Sequence, residues 1–185
     1  MVKRLIYDEL SLGYTIRRLC YQLVENIDDL NNTVILGLQP KGVFLADKIN
    51  HILQQSFHQS LHCGYLDITF NRDDYRRRDI DLQPKSTTIP VSLEDKKVIL
   101  IDDVLYTGRS VRAALDAMLA FGRPSSVELL VLINRKYTRE LPIEPKYVGK
   151  TVNTLYNEKI LVELKEQGFD KDQVWLIPKH EIKIN

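Results

Sequence analysis

Three short stretches of the chain are apolar on consecutive residues: "TVILGL" at 33–38, "VILI" at 98–101, and the end of "SVELLVLI" at 126–133. A strand with one wet face alternates apolar and polar residues. A strand that is apolar on both faces needs cover on both, which is the condition of a parallel sheet flanked by helices. Helical patterns separate the runs. Ile16, Leu19, Cys20, Leu23, Val24 and Ile27 recur at helical spacing between about Asp8 and Asn26, and Val43, Ala46, Ile49, Ile52 and Leu53 form a second series. A third helix is expected from about Gly108 to Phe121. The predicted class is therefore α/β, a doubly wound, mainly parallel sheet.

The flanking stretches are weaker. "GYLDITF" (64–70) alternates like a strand, and "ELPIEPKYVGKTV" reads as irregular. "KILVELKEQGFDKDQVWLI" predicts two strands around a turn at the end of the sheet. The 185 residues are read as one domain, 1–185. A formal net charge of +1 supplies no global basic field, so any nucleic-acid surface must be a local patch. Cys20 and Cys63 are far apart and suggest free thiols in a reducing compartment. The beginning of the chain lacks the apolar stretch of a signal peptide and no run reaches spanning length, which predicts a cytoplasmic protein. His51, His58, His62 and Cys63 cluster in "HILQQSFHQSLHC", with His58 and His62 expected on one helix face, but without a recognisable zinc-ligand spacing. They are read as ordinary satisfied or exposed side chains.

The chemistry concentrates in "VILIDDVLYTGRSVRAALDAM", residues 98–118. Strand 97–102 is expected to run straight into Asp102 and Asp103, at the sheet end where ligands of open parallel sheets bind. Tyr106, Thr107, Gly108, Arg109 and Ser110 then lead into a helix N-terminus, whose free N–H groups and dipole favour a phosphate. The carboxylates suit hydroxyls and a magnesium ion. Together they ask for a ligand with a phosphate and a diol close together: a 5-phosphorylated ribose. A plain capped helix after two solvated aspartates is the competing reading, which strand, acid pair, loop and helix in one register make the weaker. Residues 71–88, with Arg72, Arg76, Arg77 and Arg78, hold little that can pack and suit a lid.

"VILIDDVLYTGRS" resembles the phosphoribosyl-diphosphate signature of the type I phosphoribosyltransferases. The likeness extends to "GLQPKGVFLA" (37–46), "LDITFNRDD" (66–74), "VRAALDAMLAFGRPSSVELLVLINR" and "RELPIEPKYVGK", which are similar to the family of pyrimidine-operon regulators that are also uracil phosphoribosyltransferases. The resemblance implies transfer of 5-phosphoribose from phosphoribosyl diphosphate (PRPP) to uracil with Mg2+, giving UMP and diphosphate. Asp102 and Asp103 would bind the ribose hydroxyls and the metal, and Tyr106 to Ser110 the 5-phosphate. Pro40, Lys41 and Gly42 would form the diphosphate loop and Arg72 part of a lid over it, about 71–88, with a base-binding hood and C-terminal strands at about 139–178. Purine-using relatives carry an acid at the fifth position of the signature, counted from the first acid. Tyr106 stands there and favours a pyrimidine. Asn134, Arg135, Tyr147 and Val148 would form the base site, with Tyr147 stacking on the ring; relatives usually place an aspartate where Asn134 stands.

The family also implies binding of the pyrimidine-operon mRNA leader, through Arg17, Arg18 and Arg139, although Tyr21 and Asn26 replace basic or imidazole side chains. It further implies a homo-oligomer, dimer or tetramer. Two functions therefore stand: a uracil phosphoribosyltransferase, and a nucleotide-sensing RNA-binding regulator with little catalysis. A phosphoribosyltransferase for a different base is the remaining alternative.

Overall fold

All six residues of β2 (Thr33–Leu38) are buried, because the sheet is covered on both sides. The structure is a computed structural model and describes residues 3–72, 86–154 and 158–178. The other elements in chain order are β1 (Arg4–Tyr7), α1 (Glu9–Asn26), α2 (Gly42–Phe57), β3 (His62–Leu66), β4 (Lys97–Leu105), α3 (Arg109–Met118), β5 (Ser126–Lys136), β6 (Tyr147–Asn153), β7 (Glu158–Glu163) and β8 (Gln173–Pro178). The main sheet has the order β3-β2-β4-β5-β6 with every pair parallel. Alternate residues of each central strand feed different cores. Ile99, Ile101, Leu130 and Leu132 pack with α1 and α2, whereas Val98, Leu100, Leu129 and Val131 pack with α3. The expected doubly wound α/β arrangement is what forms.

α1 starts at a capping box: the Asp8 carboxylate accepts from Ser11 N–H while the Ser11 hydroxyl accepts from Asp8 N–H. α2 stops where His58 adopts a left-handed conformation (φ 52°). His62 therefore opens β3 instead of sharing a helix face with His58, and the expected pair is separated by the turn.

Four further expectations change. The "GYLDITF" strand ends at Leu66, and a single 3-10 turn, Thr69–Asn71, follows. β4 does not end at the acids but continues through them to Leu105, paired with β5 as far as Asn134. "YVGKTVN" is a regular strand, β6, on the sheet edge; its exposed Lys150, Thr151 and Asn153 interrupt the apolar run that marks buried strands. The two C-terminal strands do not extend the main sheet. They pair antiparallel with each other and with β1, in a second sheet of order β1-β8-β7. Most of the proposed lid, including Arg76, Arg77 and Arg78, lies outside the described residues.

Candidate active site

Gly42 sets the geometry. A Cβ there would sit 2.3 Å from the Ile101 carbonyl oxygen, so only glycine lets the start of α2 rest on β4 immediately before the acids. This contact brings Lys41, at the end of the loop after β2, within 4.0 Å of Asp103, Nζ to Oδ2. The Asp102 carboxylate accepts from the Asp103 backbone N–H at 2.9 Å. Burial pushes the Asp102 carboxyl well above the usual carboxylate range, and the charge of Asp103 pushes it further. Burial also raises Asp103, against the opposing pull of the Lys41 ammonium.

Asp102 opens on a cavity of about 260 Å³ whose other wall is the loop Tyr106–Ser110, with Arg72 and Glu140 at the rim. Gly108 is left-handed (φ 93°) and, as the N-cap of α3, has no side chain to cap the helix, while the Arg109 N–H donates to the Thr107 hydroxyl at 3.4 Å. The N-terminal end of α3 therefore faces the cavity as a site for an anion. Arg72 Nη1 donates to the Ser110 hydroxyl at 3.3 Å, which holds Arg72 beside the start of α3. Arg109 Nε donates to Glu140 at 2.7 Å, and the Glu140 and Leu141 N–H groups donate to the Thr107 carbonyl at 3.0 and 3.3 Å. The sequence reading missed Glu140; its place in "RELPI" was the available signal.

With Asp102 and an anion cradle on one cavity, and Asp103 adjacent to it, the comparison with known proteins is decisive. Residues 6–167 match the phosphoribosyl transferase domain family. The chain is a phosphoribosyltransferase. This phosphoribosyltransferase is 40% identical over 166 residues to the bifunctional protein PyrR of Bacillus subtilis (strain 168), covering 89% of its own chain and 91% of the relative. It is 43% identical over 172 residues to the bifunctional protein PyrR of a Streptococcus agalactiae strain, with 92% and 96% covered. Its fold is similar to that of a Staphylococcus aureus hypoxanthine phosphoribosyltransferase (TM-score 0.69, 17% identity, 98% of this chain and 94% of that one). A Trypanosoma cruzi hypoxanthine phosphoribosyltransferase has the same TM-score of 0.69 at 13% identity, with 96% and 97% covered.

At the carboxyl end of β5 the phosphoribosyltransferase builds a second cluster. The Arg135 guanidinium lies 4.0 Å over the Tyr106 ring, and its Nε donates to Thr154 at 2.8 Å. Arg139 donates to the Tyr106 carbonyl and, through Nη2, to Asn134 Oδ1 at 2.6 Å. Asn134 and Arg135 thus sit together beside the Tyr106 loop. Thr138 and Thr154, which also touch this cluster, were missed because nothing local distinguishes a threonine that joins two strands.

Tyr147 does not join it. The ring is 2% exposed, level with Leu130, and its hydroxyl donates to Glu128 at 2.8 Å toward the amino end of the sheet. The expected stacking on a base is corrected: the side chain belongs to the core. The Val148 carbonyl is also occupied, since Arg18 donates to it at 3.0 Å and to the Gly149 carbonyl at 2.6 Å. Arg18 thereby ties α1 to the edge strand while remaining exposed, and Arg139 is engaged in the cluster. Arg17 is exposed on α1.

A magnesium ion fits the chemistry at the acids. It takes oxygen ligands and is commonly held by one or two carboxylates together with substrate oxygens. Asp102 supplies such oxygens at the cavity and Asp103 supplies them on the side facing Lys41, and a cation there would lower both carboxyls from their raised values. Among the described residues no group of three His, Cys, Asp or Glu side chains could hold a metal, so an ion here would need substrate oxygens as well.

Proposed function

We propose that this phosphoribosyltransferase transfers 5-phosphoribose from PRPP to uracil, giving UMP and diphosphate, and that it also regulates pyrimidine genes by binding their mRNA leader. The observation that carries the transferase reading is one cavity with Asp102 on one wall and the Gly108 turn into α3 on the other, and Asp103 beside it facing Lys41.

In this reaction uracil N1 bonds to C1 of the ribose as the bond from C1 to the diphosphate oxygen breaks, and the N1 proton is lost. Positive, oxocarbenium-like character builds on the sugar ring. Asp102 and Asp103 hold the ribose hydroxyls and set negative charge against that ring. Thr107, Gly108, Arg109 and Ser110 hold the 5-phosphate on the helix N-terminus. Lys41 faces the diphosphate side, as a point charge without the planar fork of an arginine, and Arg72 closes the near rim. Asp102 and Asp103 would hold a magnesium ion, and the charge it supplied there would offset that of the leaving diphosphate. Asn134 and Arg135 meet the base, and Tyr106 leaves the site without the extra acid that purine-using relatives carry. No covalent nucleophile is needed; orientation and charge stabilisation suffice.

The "bifunctional" name of the relatives supports a second activity. The outer face of α1 offers Tyr14, Arg17 and Tyr21 to solvent, aromatic and cationic groups of the kind that contact unstacked RNA. The protein acts in the cytoplasm as a dimer or tetramer; among the described residues no helix is long and apolar enough to cross a membrane. The deciding experiment is turnover with PRPP and Mg2+ against a panel of bases. Uracil is the expected substrate. A protein that binds UMP but forms none would instead be a sensor, and turnover of another base alone would reassign the substrate. A salt-dependent gel shift with the leader RNA in the presence of UMP tests the second activity.

A further inference from the structure

Three consecutive carbonyls of the loop before α3 have partners within the protein. That of Tyr106 accepts from the Arg139 guanidinium and, at 3.5 Å, from the Thr138 hydroxyl. That of Thr107 accepts from the Glu140 and Leu141 N–H groups at 3.0 and 3.3 Å. That of Gly108 accepts from the Arg112 N–H at 3.0 Å, in the first turn of α3. In a trans peptide the carbonyl and the next N–H point in opposite directions. The Thr107 and Gly108 N–H groups therefore face away from residues 138–141, and both residues line the cavity. Among the described residues neither N–H donates to a protein acceptor. Successive N–H groups of this kind form a concavity for an anion. Side chains reinforce the contact: Glu140 accepts from Arg109 Nε at 2.7 Å, and a Cβ on Gly108 would lie 3.5 Å from Leu141 Cβ.

We infer that residues 138–141 are the positioning element of the anion site: by holding the Tyr106 and Thr107 carbonyls they aim the Thr107 and Gly108 N–H groups at a 5-phosphate. The inference rests on the proposal that this cavity takes the phosphate of PRPP, and it adds what aims the donors. Donors fixed before the ligand arrives need no reorganisation when it does. Arg139 and Glu140 are the positioning residues, the first through Tyr106 and the second through Thr107 and Arg109. Charge alone does not account for Glu140, because a carboxylate at the rim of an anion site repels what the site must bind. Its hold on Arg109 and the loop does.

The test is calorimetric binding of ribose 5-phosphate, which carries no base, with magnesium diphosphate as a control that lacks the 5-phosphate. Glu140→Ala removes a negative charge and Arg139→Met a positive one, so electrostatics alone would tighten one variant and weaken the other. Loss of aim weakens both. Ribose 5-phosphate should bind about two- to fivefold less tightly to Glu140→Ala. It should bind about three- to tenfold less tightly to Arg139→Met, with diphosphate binding unchanged in both. Glu140→Gln, still an acceptor for Arg109 Nε, should stay within about twofold of the wild type. In isotopically labelled protein the Thr107 and Gly108 amide protons should shift downfield on adding ribose 5-phosphate, and less so in the two weakened variants. Unchanged or tighter binding by Glu140→Ala, or an equal loss for diphosphate, would overturn the inference and leave the phosphate site standing. Amide shifts in the variants as large as the wild type's would do the same. Failure of the wild-type protein to bind ribose 5-phosphate at all would overturn both.

Discussion

The Ile101 carbonyl oxygen lies 2.3 Å from the point a Cβ on Gly42 would occupy. The backbone of β4 and the first residue of α2 are thus in contact one residue before the acid pair, and Lys41 reaches Asp103 because of it.

Gly42→Ala must push α2 away from β4, since the obstructing atom is backbone and cannot rotate aside. The expected cost is about 3 kcal/mol, a fall in Tm of roughly 6–12 °C for a chain of this size. Displacing Lys41 should also raise KM for PRPP. Thermal unfolding and steady-state kinetics on the same preparation read both; an unchanged Tm would show that the contact is not tight.

Asp103→Asn should lower kcat by about 10²–10⁴-fold while the protein stays folded. The sign on stability is opposite to that on activity. Both acids are raised in the folded state, by burial and, for Asp102, by its neighbour's charge. The native protein therefore holds protons that the unfolded chain releases. Their stabilising effect is full below the ordinary carboxylate range and is lost as pH climbs through the raised values. Removing one charge should flatten that decline, so the variant's Tm should exceed the wild type's at pH 8 and converge with it at pH 4.

Magnesium with PRPP should stabilise the protein more at pH 8 than at pH 5, because protons held by the acid pair compete with the cation. Differential scanning calorimetry at the two pH values, with and without the ligand, measures the difference. Asp103→Asn should abolish most of the pH dependence of the ligand-induced shift.

Tyr147→Phe tests the reassignment of that ring to the core. Losing the hydroxyl bond to Glu128 should cost about 1 kcal/mol, or roughly 2–4 °C in Tm, with KM for uracil unchanged. Burial raises the Glu128 pKa, but bonds from Lys146, Tyr147 and Lys97 lower it by more. Its contribution is therefore present above the ordinary carboxylate range and disappears as pH falls through the depressed value. The stability deficit of the variant should shrink in acid. A raised KM at neutral pH would return Tyr147 to the base site.

Local pattern carried much of the architecture. The unbroken apolar residues of β2, β4 and β5 need cover on two faces, and the helical spacing of Leu12–Leu23 and Leu45–Leu53 supplies it on one of them. The acid pair, the loop to Ser110 and Lys41 were legible for the same reason: each is a short run whose chemistry is set by adjacent residues. Strands without such a signature were not legible. β6 is a half-exposed edge, and β1 is only four residues long with its first two exposed. β7 and β8 showed their inward alternation, with Ile160, Val162, Val174 and Leu176 buried, but a period of two does not say which sheet a strand joins.

Side-chain partners lay further out of reach. Arg18, Arg139 and Tyr147 each belong to a type that suits an exposed or ligand-facing role, and each is instead engaged with a partner that the fold brings close: Arg18 with Val148, Arg139 with Tyr106 and Asn134, Tyr147 with Glu128. The sequence by itself determined the two-sided parallel sheet and the acid-and-cradle motif at its carboxyl end, because periodicity and motif are properties of neighbouring residues. Only the tertiary structure decided which cations and rings remain for a ligand, because that depends on partners as distant in the chain as Arg18 and Gly149, 131 residues apart.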